Sequence, residues 1–241
     1  MQQAPVTPES VDIMPERASV AQPVSRLSNA KRPFQIICLG LFLTALVFCI
    51  PTRRTEILAR VGHILVVQQS PVEADIIVVA IDADGAGALE AADLVHRGIC
   101  SQVAVFADPP SAVDLEFLRR GLPYEDRAAV TIRQLHGLGV QNVEQIPRST
   151  SGSEQEGDIL PNWSEKHGYR TVILVTSSDH SRRLNRVLRR SLHGYQIRVI
   201  VQGSPYSPFD PDSWWKTRDG VREGIVEFQK LMLDLVRHPF S

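Results

Sequence analysis

The pattern of apolar and polar positions divides the chain into unlike parts. Residues 1–32 scatter Pro5, Pro8, Pro15 and Pro23 among Gln, Ser, Glu and Val with no sustained period of 2 or 3.6, the composition of a flexible tail. Between Pro33 and Pro51 only Gln35, Gly40 and Thr44 interrupt the hydrocarbon, and Lys31, Arg32, Arg53 and Arg54 flank the run. Such a run at a helical rise covers roughly 26 Å, just short of the ~30 Å hydrocarbon core. It predicts one transmembrane helix over 33–51. A cleaved signal peptide would need a small-residue site where Ile50, Pro51, Thr52 and Arg53 stand. Lipidation at Cys49 is opposed by bulky Phe48, and a buried core helix is the remaining alternative. Arg17, Arg26, Lys31 and Arg32 against Arg53, Arg54 and Arg60 favour a cytoplasmic N-terminus and an extracytoplasmic C-terminal domain. Residues 52–72 read as a linker.

From residue 73 to 241 short β-branched runs alternate with helical patterns. Ala74 to Ile81 is continuous and apolar, as a strand buried on both faces would be. Further strands are predicted at 102–107, 142–146, 171–176 and 197–201. Helices are predicted at 86–96, 112–120, 124–138, 153–167 and 181–192, with Pro161 breaking or kinking the fourth. Val221, Ile225, Phe228, Met232 and Leu235 recur at spacings of four and three, predicting a last helix packed on the sheet. Trp214 and Trp215, just before it, suit either core or interface. The alternation implies a doubly wound, Rossmann-like three-layer α/β domain of about five parallel strands, preceded by one transmembrane helix.

Composition changes this picture in two respects. There are 26 Lys plus Arg against 27 Asp plus Glu, a net charge of −1, which argues against a dedicated nucleic-acid binder. All but four of the cations are Arg, the side chain suited to planar contacts with phosphate or carboxylate, so an anionic ligand is expected. Of three cysteines, Cys38 and Cys49 lie in the apolar run, leaving Cys100 alone and no disulfide or Cys-based zinc framework.

In an open α/β sheet, ligands bind beyond the carboxyl ends of the strands where strand order reverses. The common five-strand order sets strand one beside strand four, so the loops Asp82–Gly87 and Ser177–Arg183 should border the crevice. A loop at 148–156 should cover one edge. Ser177, Ser178 or Asp179 can cap the helix that follows, whose free N–H groups favour an anion. His180 titrates near neutrality and is the catalytic candidate, while Arg183 could clamp a phosphate or carboxylate. Arg186, Arg189 and Arg190 read as a solvated face. Asp82, Asp84, Gly85 and Gly87 are candidate ligand contacts, the two aspartates also as ligands for a divalent metal. An Asp-dependent phosphatase of the haloacid-dehalogenase type would use Asp82 and Asp84 as nucleophile and acid/base. The rest of that apparatus is missing, since no Ser or Thr ends strand two and no later acidic pair follows a strand. No G-x-S-x-G elbow supports a serine hydrolase, and Gly85-Ala86-Gly87 is too short for a dinucleotide fingerprint.

The order of motifs over 73–236 resembles the YdcF-like family of SanA/ElyC-type envelope proteins. Leu174-Val175-Thr176-Ser177-Ser178-Asp179-His180-Ser181-Arg182-Arg183 is similar to the family's LVTS-x-x-H-x-x-R, Ser153-Glu154-Gln155-Glu156 loosely to its Ser/Asn-Thr-x-x-Glu/Asn loop, and Glu227-Phe228-Gln229-Lys230 to its terminal helix motif. The resemblance implies a Rossmann-like domain tethered to the membrane and linked to envelope or peptidoglycan physiology. It adds Ser153, Glu156, Thr176 and Ser177 to the ligand contacts. Where the family has a Gly-Gly loop and soon an Arg, this chain has Asp82 and Asp84, with no Arg before Arg97. The expected function is binding or processing of a phosphate-bearing small molecule or lipid-linked precursor. The alternative is a non-enzymatic envelope factor acting through a protein partner, with a vestigial crevice.

Overall fold

The structure, a computed structural model, describes residue 35 and residues 50–241. The expected tail and nearly all of the expected membrane helix lie outside the described residues, among which no helix is long and apolar enough to cross a membrane.

The α/β domain is built on five parallel strands: β1 (Ile76–Val79), β2 (Gln102–Ala107), β3 (Asn142–Ser149), β4 (Thr171–Ser177) and β5 (Arg198–Ser204), in the order β3-β2-β1-β4-β5. β1 is therefore paired on both sides, Val78 opposite Ala104 of β2 and Leu174 of β4. The side-chain period of two sorts the sheet into two cores. Ile77, Val79, Val103, Val105, Ile173 and Val175 meet Ala88, Ala91 and Leu94 of α2 (Asp84–His96) and Leu135 of α4 (Arg127–Gly137). Ile76, Val78, Ala104, Phe106, Val172 and Leu174 meet Leu160 and Trp163 of α5 (Ser153–His167) and Leu184 and Leu188 of α6 (Ser181–Ser191). α3 (Ala112–Arg119), opened by a Ser111/Asp114 capping box, buries none of its residues.

Several boundaries differ from the sequence reading. α4 starts at Arg127 rather than 124 because the Asp126 carboxylate accepts from Ala128 N and caps it there. β3 runs on through Pro147 to Ser149, which an edge strand tolerates because one row of its N–H groups faces no partner. β5 likewise extends to Ser204. α5 continues through Pro161 without a break. The residue one turn earlier, Gly157, lets α6 approach closely: a Cβ there would stand 2.7 Å from Val187 Cγ1. The expected linker is largely helix, α1 (Pro51–Leu65). Its buried side carries Gly62 and Leu65, with Leu58 half-buried. Trp214 Nε1 donates to Leu58 O, Arg182 donates to the carbonyls of Ile64 and Val66, and Ser181 Oγ accepts from Val67 N.

The last helix, α7 (Arg218–Arg237), corrects the sequence reading most sharply. It packs on α1 and α6 rather than on the sheet, and its buried stripe is Gly220, Gly224, Glu227, Leu231 and Asp234. Ile225, Met232 and Leu235 of the expected apolar stripe are exposed. The reason is charge. Arg183, Arg186 and Arg190 fall on one face of α6 at spacings of three and four, and Glu227 and Asp234 answer them from α7. Arg186 Nε donates to Asp234 Oδ2 at 2.5 Å, and Arg190 Nη2 stands 2.9 Å from Asp234 Oδ1. Arg186 and Arg190 are thus a helix–helix contact, not a solvated face.

Asp84 has φ +43° and ψ −139°, a conformation natural to glycine that costs another residue about 1–3 kcal/mol. Its exposed ion pair with Arg127, at 3.5 Å, returns at most about 1 kcal/mol. Asp84→Gly is therefore expected to raise stability by about 1 kcal/mol and the melting temperature by about 2–4 °C, read by thermal denaturation. Asp234→Ala removes the carboxylate shared by two half-buried guanidinium groups, which keep their bonds to His238 O, Ser241 and Glu154, and is expected to cost about 1–2 kcal/mol, read by urea unfolding.

Candidate functional site

Because β1 and β4 are neighbours, their C-terminal ends open a cavity of about 650 Å³ at the reversal of strand order. The turn after β1, the start of α5, the turn after β4 and one side of α7 form its walls.

Asp82 sits in a single 3₁₀ turn, Ile81–Ala83, between β1 and α2. Its carboxylate accepts from Thr176 Oγ1 at 2.9 Å, Ser177 N at 3.1 Å and Ser177 Oγ at 2.5 Å. The end of β4 thus fixes how Asp82 enters the crevice. Thr176 is fully buried and, among the described residues, its hydroxyl donates to Asp82. Glu156, 2% exposed, accepts from Ile81 N at 2.9 Å through Oε1, joining α5 to the end of β1. Burial first, and then the nearby Asp82 charge, push its carboxyl up to about 7.

His180 is 5% exposed at the head of α6. Its Nδ1 lies 3.1 Å from Glu227 Oε2 and 2.8 Å from Arg183 Nη2, so the ring is set between a carboxylate that accepts and a guanidinium that donates. Burial disfavours the imidazolium, but Asp82 and the Glu227 hydrogen bond outweigh it and hold His180 above its ordinary pKa. Arg183 donates to Glu227 Oε2 at 3.0 Å and to Ser153 Oγ at 2.6 Å. Glu227 is itself buried, yet His180 and Arg183 hold its carboxyl far below the usual range. Asp179, also buried and facing the cavity, is pushed up to about 6, chiefly by desolvation.

The structure brings together Asp82, Ser153, Glu156, Ser177, His180 and Arg183 of the residues singled out in the sequence. Asp84 reaches the same rim, but its carboxylate points toward Arg127. Gly85 and Gly87 do not line the cavity. Gly87 is needed for packing, since a Cβ there would stand 2.5 Å from Ala83 Cβ and 2.7 Å from Val79 Cγ1. None of Ser177, Ser178 and Asp179 caps α6, whose N-cap is His180 with no side-chain cap bond. Sequence reasoning missed Glu227 and Asp179 as site residues. Glu227 carried a signal, because it heads the Glu227-Phe228-Gln229-Lys230 motif.

The cavity is more acidic than the sequence suggested: Asp82, Asp84, Glu156, Asp179, Glu223 and Glu227 line it against Arg183, Arg222, Lys230 and His180. Arg183 is engaged by Glu227, Lys230 pairs with Glu227 at 2.6 Å, and Arg222 pairs with Glu223. Such a site can orient an anion through Arg183 and hold a cation between its carboxylates. No protein-family model matches the chain, and no curated protein matches it either.

Proposed function

We propose that this chain is a membrane-anchored, YdcF-like protein of cell-envelope physiology whose α/β domain binds a phosphate-bearing small molecule or lipid-linked precursor between the ends of β1 and β4. One observation carries the reading. Two motif segments far apart in sequence, Ser153–Glu156 and Thr176–Arg183, meet in one cavity at the switch point, where Arg183 spans from Glu227 to Ser153. A guanidinium held rigid in this way loses little freedom on meeting a phosphate and presents a planar fork. His180 stands beside it, its Nδ1 2.8 Å from Arg183 Nη2. The apolar run at 33–51 is the anchor, with the N-terminus cytoplasmic and the domain outside.

A second reading, a non-enzymatic envelope factor acting through a protein partner, draws on the exposed apolar residues Val226, Met232, Leu233 and Val236 of α7.

Calorimetry with inorganic pyrophosphate as probe tests the first reading. Arg183→Lys keeps a charge opposite Glu227 but loses the fork, and is expected to weaken binding about 10- to 100-fold. Equal binding by wild type and R183K overturns it. If instead R183K leaves the cellular phenotype intact while Met232→Glu with Val236→Glu abolishes it, the second reading holds. A reporter fused after Ser241 is expected to report from outside the cytoplasmic membrane, and a cytoplasmic signal overturns the envelope assignment.

A further inference from the structure

We propose that Asp82, Glu156 and His180 form a binding site for one divalent first-row transition ion, such as Mn²⁺ or Zn²⁺, with its open coordination positions facing the crevice. A ligand atom of each residue lies within 4.8 Å of the other two. Among the described residues none of the three is hydrogen-bonded to another, so they surround a shared space without closing it.

Two polar atoms of the cluster have no protein partner among the described residues. Glu156 is 98% buried by its 2% exposure, and only Oε1 has a hydrogen-bond partner among the described residues. His180, 5% exposed, uses Nδ1 toward Glu227 and Arg183, leaving Nε2 without a protein partner among the described residues. Both belong to largely buried side chains lining the cavity, and neither atom is sealed off, so each is open to a ligand there. Asp82 and Glu156 also bring two carboxylates together, while Arg183 hydrogen-bonds to Glu227 and Ser153 rather than to either of them. A divalent ion would neutralise that pair.

The surroundings have the form of a metal site's supporting shell. A ligating imidazole usually sets its other ring nitrogen against a carboxylate, which fixes the ring, and Glu227 Oε2 lies 3.1 Å from His180 Nδ1. Thr176 and Ser177 orient Asp82 in the same way. Two oxygens and one imidazole nitrogen suit Mn²⁺ or Zn²⁺ better than Mg²⁺ or Ca²⁺, which prefer all-oxygen sets. Three protein ligands leave positions open, as in sites that bind substrate.

The site deepens the proposed function and rests on its premise that this crevice receives the ligand. It resolves why an acidic cavity would take a phosphate. The ion cancels Asp82 and Glu156 and presents positive charge to a phosphoryl oxygen, Arg183 meets the ligand directly, and His180 meets it through the ion.

The test uses the full-length protein, stripped with chelator and titrated with Mn²⁺ alone, followed by electron paramagnetic resonance. One ion per chain with nitrogen coupling from one imidazole is expected. Glu156→Gln preserves volume and removes a buried charge, so it should fold, which circular dichroism verifies, while losing affinity about 100-fold or more. Glu227→Gln keeps all three ligands and is expected to lose about 10- to 100-fold. No binding of Mn²⁺ or Zn²⁺ at millimolar concentration, or equal binding by wild type, E156Q and H180A, overturns the site. Pyrophosphate titrated into the metal-free protein separates the two claims. Arg183-dependent pyrophosphate binding with no ion binding refutes the metal site and leaves the anion reading standing. Ion binding with no pyrophosphate binding by either the metal-free or the metal-loaded protein supports the metal site and counts against the anion reading.

Discussion

The hydrogen-bonded ion pair of Glu227 with His180 and Arg183 is the constraint on which the working end of this molecule depends. One carboxylate, carried by the final helix, lies against Nδ1 of the imidazole and accepts from Nε of the guanidinium. Buried charges survive only when paired and hydrogen-bonded, and here the pairing serves two ends. It places the head of α6 beside the ends of β1 and β4, and it draws α7 onto α6. Asp234 repeats the arrangement two turns further along, with Arg186 and Arg190 as its partners. The helix that closes the cavity is held there by its acidic residues, while much of its hydrocarbon faces outward.

The frame of the fold was legible in the sequence because the strands announce themselves. Ile76–Val79 and Thr171–Ser177 are apolar enough to be buried on both faces, and the helices between them fix parallel pairing and strand order. α1 was not legible, since its exposed first turns Thr52-Arg53-Arg54 read as tether and its buried side shows only Leu58, Gly62 and Leu65. The packing of α7 was hidden for a related reason. A hydrophobic stripe predicts a buried face only where burial of hydrocarbon decides the interface, and at α7 the arginines of α6 decide it.

The site was legible in part. His180 and Arg183 stand out through their spacing on a turn that follows a buried strand. Glu227 lies 44 residues from Arg183, and no local pattern says that it turns inward. Asp82 and Asp84 looked alike in sequence, yet the positive φ at Asp84 splits them. The chain bends sharply between the two, sending one carboxylate to Thr176 and Ser177 and the other toward Arg127. What reads as an acidic pair is one site residue and one rim residue, and the second acid of the cluster comes from Glu156 on α5.

The way α1 joins the domain has a mechanical meaning. α1 begins at Pro51 and is fastened by Arg182 and Ser181 to the first turn of α6, the same turn that carries Arg183 and follows His180. A displacement of α1 is carried by these bonds to the head of α6 and, through Trp214 Nε1 on Leu58 O, to the segment that leads into α7. Both of these helices, which border the crevice, would shift with it.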